Sequence, residues 1–360
     1  MKKNNKMTRL ALRTDNHFTL NYSLIMAVSI QLILDFFELF GKSGLNFCKV
    51  RNFPKVIMNK NFLIIVISLL ASTAAVSQKG NNEEFPKELV EFVPYKANPI
   101  FKGTGTNTWD KQIRERGYIL LEKGIYKMWY TGYNGDDTVT KHLGYATSGD
   151  GIHWKRYAKN PIFREKWTED MCVVKDKGKY YMFAEGRNDV AHSLVSNDGI
   201  NWQEEGDLNI QTVNGKSIPG PYGTPTVWIE NGTWYLFYER NDEAIWLAKS
   251  TDHKTWINVQ DEPVIKTGPE KYDSGAVAAN QVIKYKGRYY IYCHASAAPM
   301  ESSSEWTSNV AMSTDLIHWI KYPKNPIVEG DHSSPITVFD GKRYRLYTMH
   351  SRVFVYFSKQ

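Results

Sequence analysis

Four copies of one short turn constrain this chain more than any other feature. Ser148-x-Asp150-x-x-x-Trp154, Ser196-x-Asp198-x-x-x-Trp202, Ser250-x-Asp252-x-x-x-Trp256 and Ser313-x-Asp315-x-x-x-Trp319 share a single pattern. Their Trp residues are 48, 54 and 63 positions apart. Self-similarity at a period near 50 residues is the mark of a repeat architecture. Asn-Pro-Ile recurs at 98–100, 160–162 and 325–327, with Glu-Pro-Val at 262–264. Between these markers lie paired runs rich in aromatic and β-branched residues, at 118–130, 171–183, 226–238, 282–292 and 336–347. Each pair flanks a turn containing Gly124, Gly178, Gly232, Gly287 or Gly341. That is a hairpin signal.

Five hairpins, each followed by further strand material and no long amphipathic helix, predict an all-β fold. The expected architecture is a five-bladed β-propeller of four-stranded antiparallel blades around a central channel. Blades are expected at 109–155, 167–203, 223–257, 273–320 and 331–357, with the stretch around Phe92 closing the ring. A β-sandwich would leave the repeated turn unexplained. In that turn Asp and Ser bond turn amides, and Trp packs between blades.

Composition narrows the setting. Hydrophobic residues at 42% and aromatics at 14% exclude a disordered chain. Three Cys exclude a disulfide-dense scaffold. Cys172 and Cys293 are open to either a disulfide or two buried thiols, and they fall in different blades. No C-x-x-C or H-E-x-x-H motif points to zinc. The formal charge of +7 belongs entirely to residues 1–77, which hold ten basic and three acidic side chains. Beyond them the charges balance at 35 of each sign, which argues against nucleic acid as a partner.

Residues 58–77 read as a signal peptide: Lys60, an apolar run from Phe62 to Leu70, then a small-residue end. The run is short of the roughly 20 residues that span a bilayer. Residues 1–57 are expected to be an early-start extension without function, a membrane-associated extension being the alternative. Residues 78–360 are then one exported, monomeric propeller, periplasmic or extracellular.

In a propeller the start of each inner strand and the end of the second strand meet at one mouth. Aligning the hairpin glycines collects Glu115, Glu169, Asp170, Glu185, Glu239, Asp273 and Asp331 there. Arg114, Arg116, Arg187, Arg240, His294 and His332 join them. Carboxylates in a shared cavity are what glycosidic hydrolysis requires, one as proton donor and one as base or nucleophile. Glu185 and Glu239 stand out, because they hold one register in adjacent blades and each is followed by an Arg. A structural Glu–Arg pair in each blade is the competing reading. Trp109 and Trp167 are candidate platforms for a pyranose, with Asp110 beside the first. The substrate-binding set is therefore Trp109, Asp110, Glu115, Arg116, Trp167, Arg187, Arg240, Asp273, His294 and His332. No cofactor or catalytic metal is implied, although a propeller channel can hold a structural cation.

These residues resemble the five-bladed propeller glycoside hydrolases of family 43 and its relatives in families 32, 68, 117 and 130. The resemblance spans roughly 91–357. Its most specific piece is 170–183, similar to the families' Asp-Pro-x-Val…Gly-x-Tyr-Tyr blade start. It implies an all-β propeller acting on glycosidic bonds. It also implies that Asp170 is the second-blade acid, which orients and tunes its partners. The families place further acids at the inner-strand starts of blades one and three, where glycine alignment puts Arg116 and Thr224. The catalytic pair is then drawn from Glu185, Glu239, Glu169 and Asp110, with Asp170 beside it.

The expected activity is exo-acting hydrolysis of terminal sugars from a plant or algal glycan. A phosphorylase like those of family 130 and a non-catalytic glycan-binding propeller are the alternatives.

Overall fold

The computed structural model describes residues 85–300 and 304–359. The extension and signal peptide expected at 1–57 and 58–77 lie outside these residues. Among the described residues no helix is long and apolar enough to cross a membrane.

The architecture is the expected five-bladed propeller. Blade one comprises Gln112–Glu122, Ile125–Tyr133, His142–Ser148 and Lys155–Arg156, and blade two Glu169–Asp176, Lys179–Glu185, Ala191–Ser196 and Trp202–Asp207. Blade three is built on Gly223–Glu230, Thr233–Glu239, Ala244–Ser250 and Thr255–Asn258, and blade four on Ala276–Tyr285, Arg288–Ser296, Trp306–Ser313 and Trp319–Lys321. Blade five joins Pro335–Phe339, Tyr344–Met349 and Arg352–Ser358 to an outer strand from the other end of the propeller, Phe92–Pro94. Phe101–Lys102 also pairs with Arg352–Ser358. The ring is thus closed by strands distant in sequence.

The hairpin turns explain their glycines. Lys123-Gly124, Lys177-Gly178, Asn231-Gly232 and Lys286-Gly287 all have both φ angles positive. That geometry matches the twist of the flanking strands and suits glycine at the second position.

The repeated turn is structural. In blade two, Asp198 Oδ1 accepts the amides of Ile200 and Asn201, both at 2.8 Å, while Ser196 Oγ accepts the amide of Gly199 at 2.9 Å. Asp150, Asp252 and Asp315 accept amides in the same way. Each turn Trp packs on an aromatic of the preceding blade: Trp202 on Trp129, Trp256 on Phe183, Trp319 on Phe237, and Trp154 on Tyr347 across the ring closure. The motif therefore does two jobs, satisfying a turn and filling a blade interface. Cys172 and Cys293 are both free and buried, so no disulfide links them.

Every inner strand of blades one to four carries a bulge near its start, between Arg114 and Tyr118, Glu169 and Cys172, Gly223 and Thr226, and Ala279 and Gln281. In the first three the bulge opens on a residue with positive φ: Glu115 at 49°, Asp170 at 45° and Thr224 at 46°. Blade one has one residue more in its bulge than blades two and three. The extra residue shifts the alignment, and this corrects the sequence reading. Glu115, not Arg116, takes the place equivalent to Asp170.

Arg116 is instead displaced inward and has no exposed surface. Its guanidinium donates to Thr226 Oγ1 at 2.6 Å, to the carbonyls of Pro225 at 2.9 Å and Ala279 at 2.8 Å, and to the carbonyls of Asn280 and Asp170. One side chain from blade one thus satisfies acceptors in blades two, three and four, and blocks the channel beneath the mouth. It does not reach the space a substrate would enter.

Removing this guanidinium would leave several buried carbonyls without a donor. Arg116→Met should cost at least about 3 kcal/mol and lower the unfolding temperature by at least about 5 °C. Arg116→Lys, able to reach fewer acceptors, should recover only part of it. Calorimetry showing Arg116→Met to melt with the wild type would remove this assignment.

Candidate active site

Above Arg116 lies a cavity of about 210 Å³. Six carboxylates line it: Glu115 and Asp170 from the bulges, Glu185 and Glu239 from second-strand ends, and Asp189 and Asp242 from the loops that follow. One guanidinium, Arg114, faces them, with His294, His350 and Trp306 on the remaining wall.

The register places these groups. Arg114 pairs with Thr131, Glu169 with Glu185, Gly223 with Glu239, Ala278 with His294, and Pro335 with Thr348. Second-strand ends therefore face inner-strand starts in all five blades, as the glycine alignment predicts. Glu185 and Glu239 then meet over a residue without a side chain. A Cβ on Gly223 would lie 2.2 Å from Glu239 Oε1 and 2.5 Å from Glu185 Oε2. Only glycine leaves room for both carboxylates. Glu185 Oε2 accepts the amide of Thr224 at 2.9 Å, and Glu239 Oε2 the amide of Asp242 at 2.6 Å. Asp170 Oδ1 is buried without a hydrogen-bond partner.

Crowding and burial hold protons on Glu115, Asp170, Glu185, Glu239 and Asp242. Desolvation, then the charge of Asp242, raises Glu239 to about 8. Desolvation and Asp170 raise Glu185 well above the usual carboxylate range. Desolvation and Glu115 raise Asp170 to about 7. Glu115 is raised to about 7 by desolvation, although Arg114 at 3.3 Å opposes the rise. Desolvation and Asp189 bring Asp242 to about 6. Burial, with Arg116 and His350 nearby, lowers His294 to about 3, so its ring is neutral at ordinary pH. Its Nδ1 accepts from the Asn280 side-chain amide Nδ2 at 3.0 Å, and the ring meets Trp306 edge-on.

Other expected site residues lie elsewhere. Glu169 is buried beside the cavity but turns away from it, taking Trp167 Nε1–H at 2.6 Å and Arg114 at 2.9 Å. Trp167 is a scaffold for that carboxylate, with Lys141 and Arg187 on its ring at 4.8 and 5.0 Å. Arg187 is exposed and donates to the Thr138 carbonyl, while Arg240 lies over Trp246. Neither Arg pairs with its Glu. Trp109 stacks on Tyr130, and Asp110 is tied to Arg156 at 2.7 Å beside it. Asp273 is buried against Lys321 in blade four. His332 packs on Phe354. Of the ten expected substrate-binding residues, only Glu115 and His294 line the cavity.

The missed residues had a signal. Glu185-Gly186-Arg187-Asn188-Asp189 and Glu239-Arg240-Asn241-Asp242 are near-repeats. In both, Asn and Asp take positive φ, between 52° and 60°, and this turn sends the Arg outward and the Asp inward. Trp306 had no such marker, since no motif surrounds it. Among the described residues no group of three or more His, Cys, Asp or Glu side chains is placed to hold a metal ion.

The raised carboxyls make folding pH-dependent. Each binds its proton more tightly folded than unfolded, so its contribution is full below about pH 4 and is lost as pH rises through 7 to 8. The unfolding temperature should therefore fall between about pH 5.5 and about pH 8.5, and fall less in Glu239→Gln. A flat profile by scanning calorimetry would contradict the burial of these protons.

No family model matches the chain. A 1,2-β-oligomannan phosphorylase from Thermoanaerobacter sp. (strain X514) is 25% identical over 217 residues, 55% of this chain and 69% of that protein. A glycosyl hydrolase from Bacteroides ovatus superposes with a TM-score of 0.61 at 17% identity, covering 76% of this chain and 95% of that one. A β-1,2-mannobiose phosphorylase from Listeria innocua, solved with β-1,2-mannobiose, gives 0.58 at 16% identity, with coverages of 74% and 96%. The chain is thus a five-bladed β-propeller whose structural neighbours and curated relatives include glycoside hydrolases and mannoside phosphorylases.

Proposed function

We propose that this chain is an exported, exo-acting glycoside hydrolase that removes terminal sugars by means of its mouth carboxylates. One observation carries the reading: the cavity holds six carboxylates and one guanidinium. That guanidinium is already shared, at 3.3 Å from Glu115, 3.3 Å from Asp137 and 2.9 Å from Glu169. Such a cavity offers inorganic phosphate no uncommitted guanidinium and suits water as the attacking group. The floor formed by Arg116 supports end-on cleavage, because a chain cannot thread through.

Glu239 is assigned the acid. At neutral pH it keeps a proton, which it gives to the glycosidic oxygen as the bond to the anomeric carbon breaks. Asp170, with a free buried oxygen, is assigned the base. It takes a proton from the water whose oxygen bonds to that carbon. Glu185 shares the Gly223 gap with Glu239 and so fixes where that carboxyl sits. Trp306 offers a sugar face a stacking surface.

Glu239→Gln should lower kcat at least about 10²-fold, and its residual activity should lose the alkaline limb near pH 8 expected of the wild type. Glu185→Gln should also be impaired at least about 10²-fold. Full activity in both would overturn the assignment. Gly223→Ala should stay folded, since only flexible carboxylates need move, yet lose on the order of 10²-fold in kcat through their displacement.

The relatives' names favour phosphorolysis as the second reading. Oligosaccharides from plants and algae, together with β-1,2-linked mannosides, form the panel for assay with and without inorganic phosphate. Release of free sugar independent of phosphate supports hydrolysis. Sugar 1-phosphate appearing only with phosphate would establish the second reading.

A further inference from the structure

Beside the carboxylate cavity runs a second, larger groove of about 520 Å³, between blade one and the closing strands of blade five. The two share Arg114, Glu115 and His350, so a ligand seated in one can extend into the other. Their charge is opposite in character. Lys102, Lys111 and Arg352 line the groove. All three are exposed, and among the described residues none has a carboxylate at ion-pair distance. The groove's two acids, Glu115 and Asp137, are both engaged with Arg114. Asp110, next to Lys111 in sequence, is buried and committed to Arg156.

Strand pairing sharpens this imbalance. Lys102 stands directly opposite Arg352 on adjacent antiparallel strands. Like charges in that position destabilise a sheet unless something negative lies between or above them. Here no acidic side chain among the described residues does. The backbone at this point is held by other means: the Lys102 carbonyl accepts from Arg156 at 2.6 Å, and the Ile100 amide donates to the Val353 carbonyl at 2.9 Å. Neither bond involves the two cationic heads, which remain available to a ligand.

We propose that Lys102, Lys111 and Arg352 form a subsite for an acidic substituent, a carboxylate or sulfate ester, on the sugar beyond the scissile bond. The inference rests on the hydrolase reading and names its substrate class, an acidic glycan. The neutralised terminal sugar sits among protonated carboxyls, and the charge it is linked to is placed a step away, where the cations are. Inorganic phosphate is the other anion such a triad could hold.

Binding separates these cases without turnover. Glu239→Gln, and the same protein carrying Lys102→Ala, Lys111→Ala and Arg352→Ala, are titrated with uronate-bearing and sulfated oligosaccharides. Each is paired with its carboxyl-reduced or desulfated form. At least one acidic member should bind about tenfold or more tightly than its neutral partner, and the preference should vanish in the triple substitution while neutral binding is retained. No acidic preference, or one that survives the substitutions, overturns the proposal. So does phosphate-stimulated cleavage by the otherwise unaltered protein that disappears when the three cations are replaced. If the unaltered protein releases no sugar from any member, the hydrolase reading fails instead, and the binding comparison still judges the subsite.

Discussion

A guanidinium with no access to water ties the ring of blades together at the foot of the mouth. Arg116 reaches from blade one to acceptors in blades two, three and four. Propeller blades pack mainly through apolar faces, which tolerate sliding. A planar donor with fixed directions does not. Its acceptors are backbone carbonyls near the same bulges that aim Asp170 and Thr224. The position of the channel floor and the aim of the carboxylates above it are therefore set together.

That coupling explains how so many acids can share a small space. Backbone amides of Thr224 and Asp242 each donate to one carboxylate oxygen, and the absent side chain at Gly223 makes room for Glu185 Oε2 and Glu239 Oε1. Because Glu115, Asp170, Glu185, Glu239 and Asp242 are desolvated and close together, ionising all five would be unfavourable. The site keeps protons instead, which is the property a general acid requires at neutral pH. The adjoining groove inverts the arrangement, with exposed cations and little acid. A substrate spanning both would meet proton donors at one end and fixed positive charge at the other.

Much of this was legible in the residues. The Ser-x-Asp-x-x-x-Trp turns and hairpin glycines determined the blade count, and counting from those glycines placed Glu185, Glu239 and His294 at the mouth. Counting failed where a strand held an extra residue. Blade one's longer bulge moved Arg116 from an expected substrate contact to the channel floor and put Glu115 in its place. It also failed where a side chain's direction depends on loop conformation. Arg187 and Arg240 turn outward, whereas Asp189 and Asp242, each two residues on, turn inward.

What the sequence determined by itself is the fold and the strand register, because turn chemistry and two-residue alternation are local and repeat with the blades. It also located the acids that sit on strands. Which of them converge, which cations are left over, and where the channel closes were decided only in the tertiary structure. Those outcomes depend on bulges, on loop dihedrals and on contacts between blades far apart in the chain, and a side chain's neighbours across such an interface leave no periodic trace in the sequence.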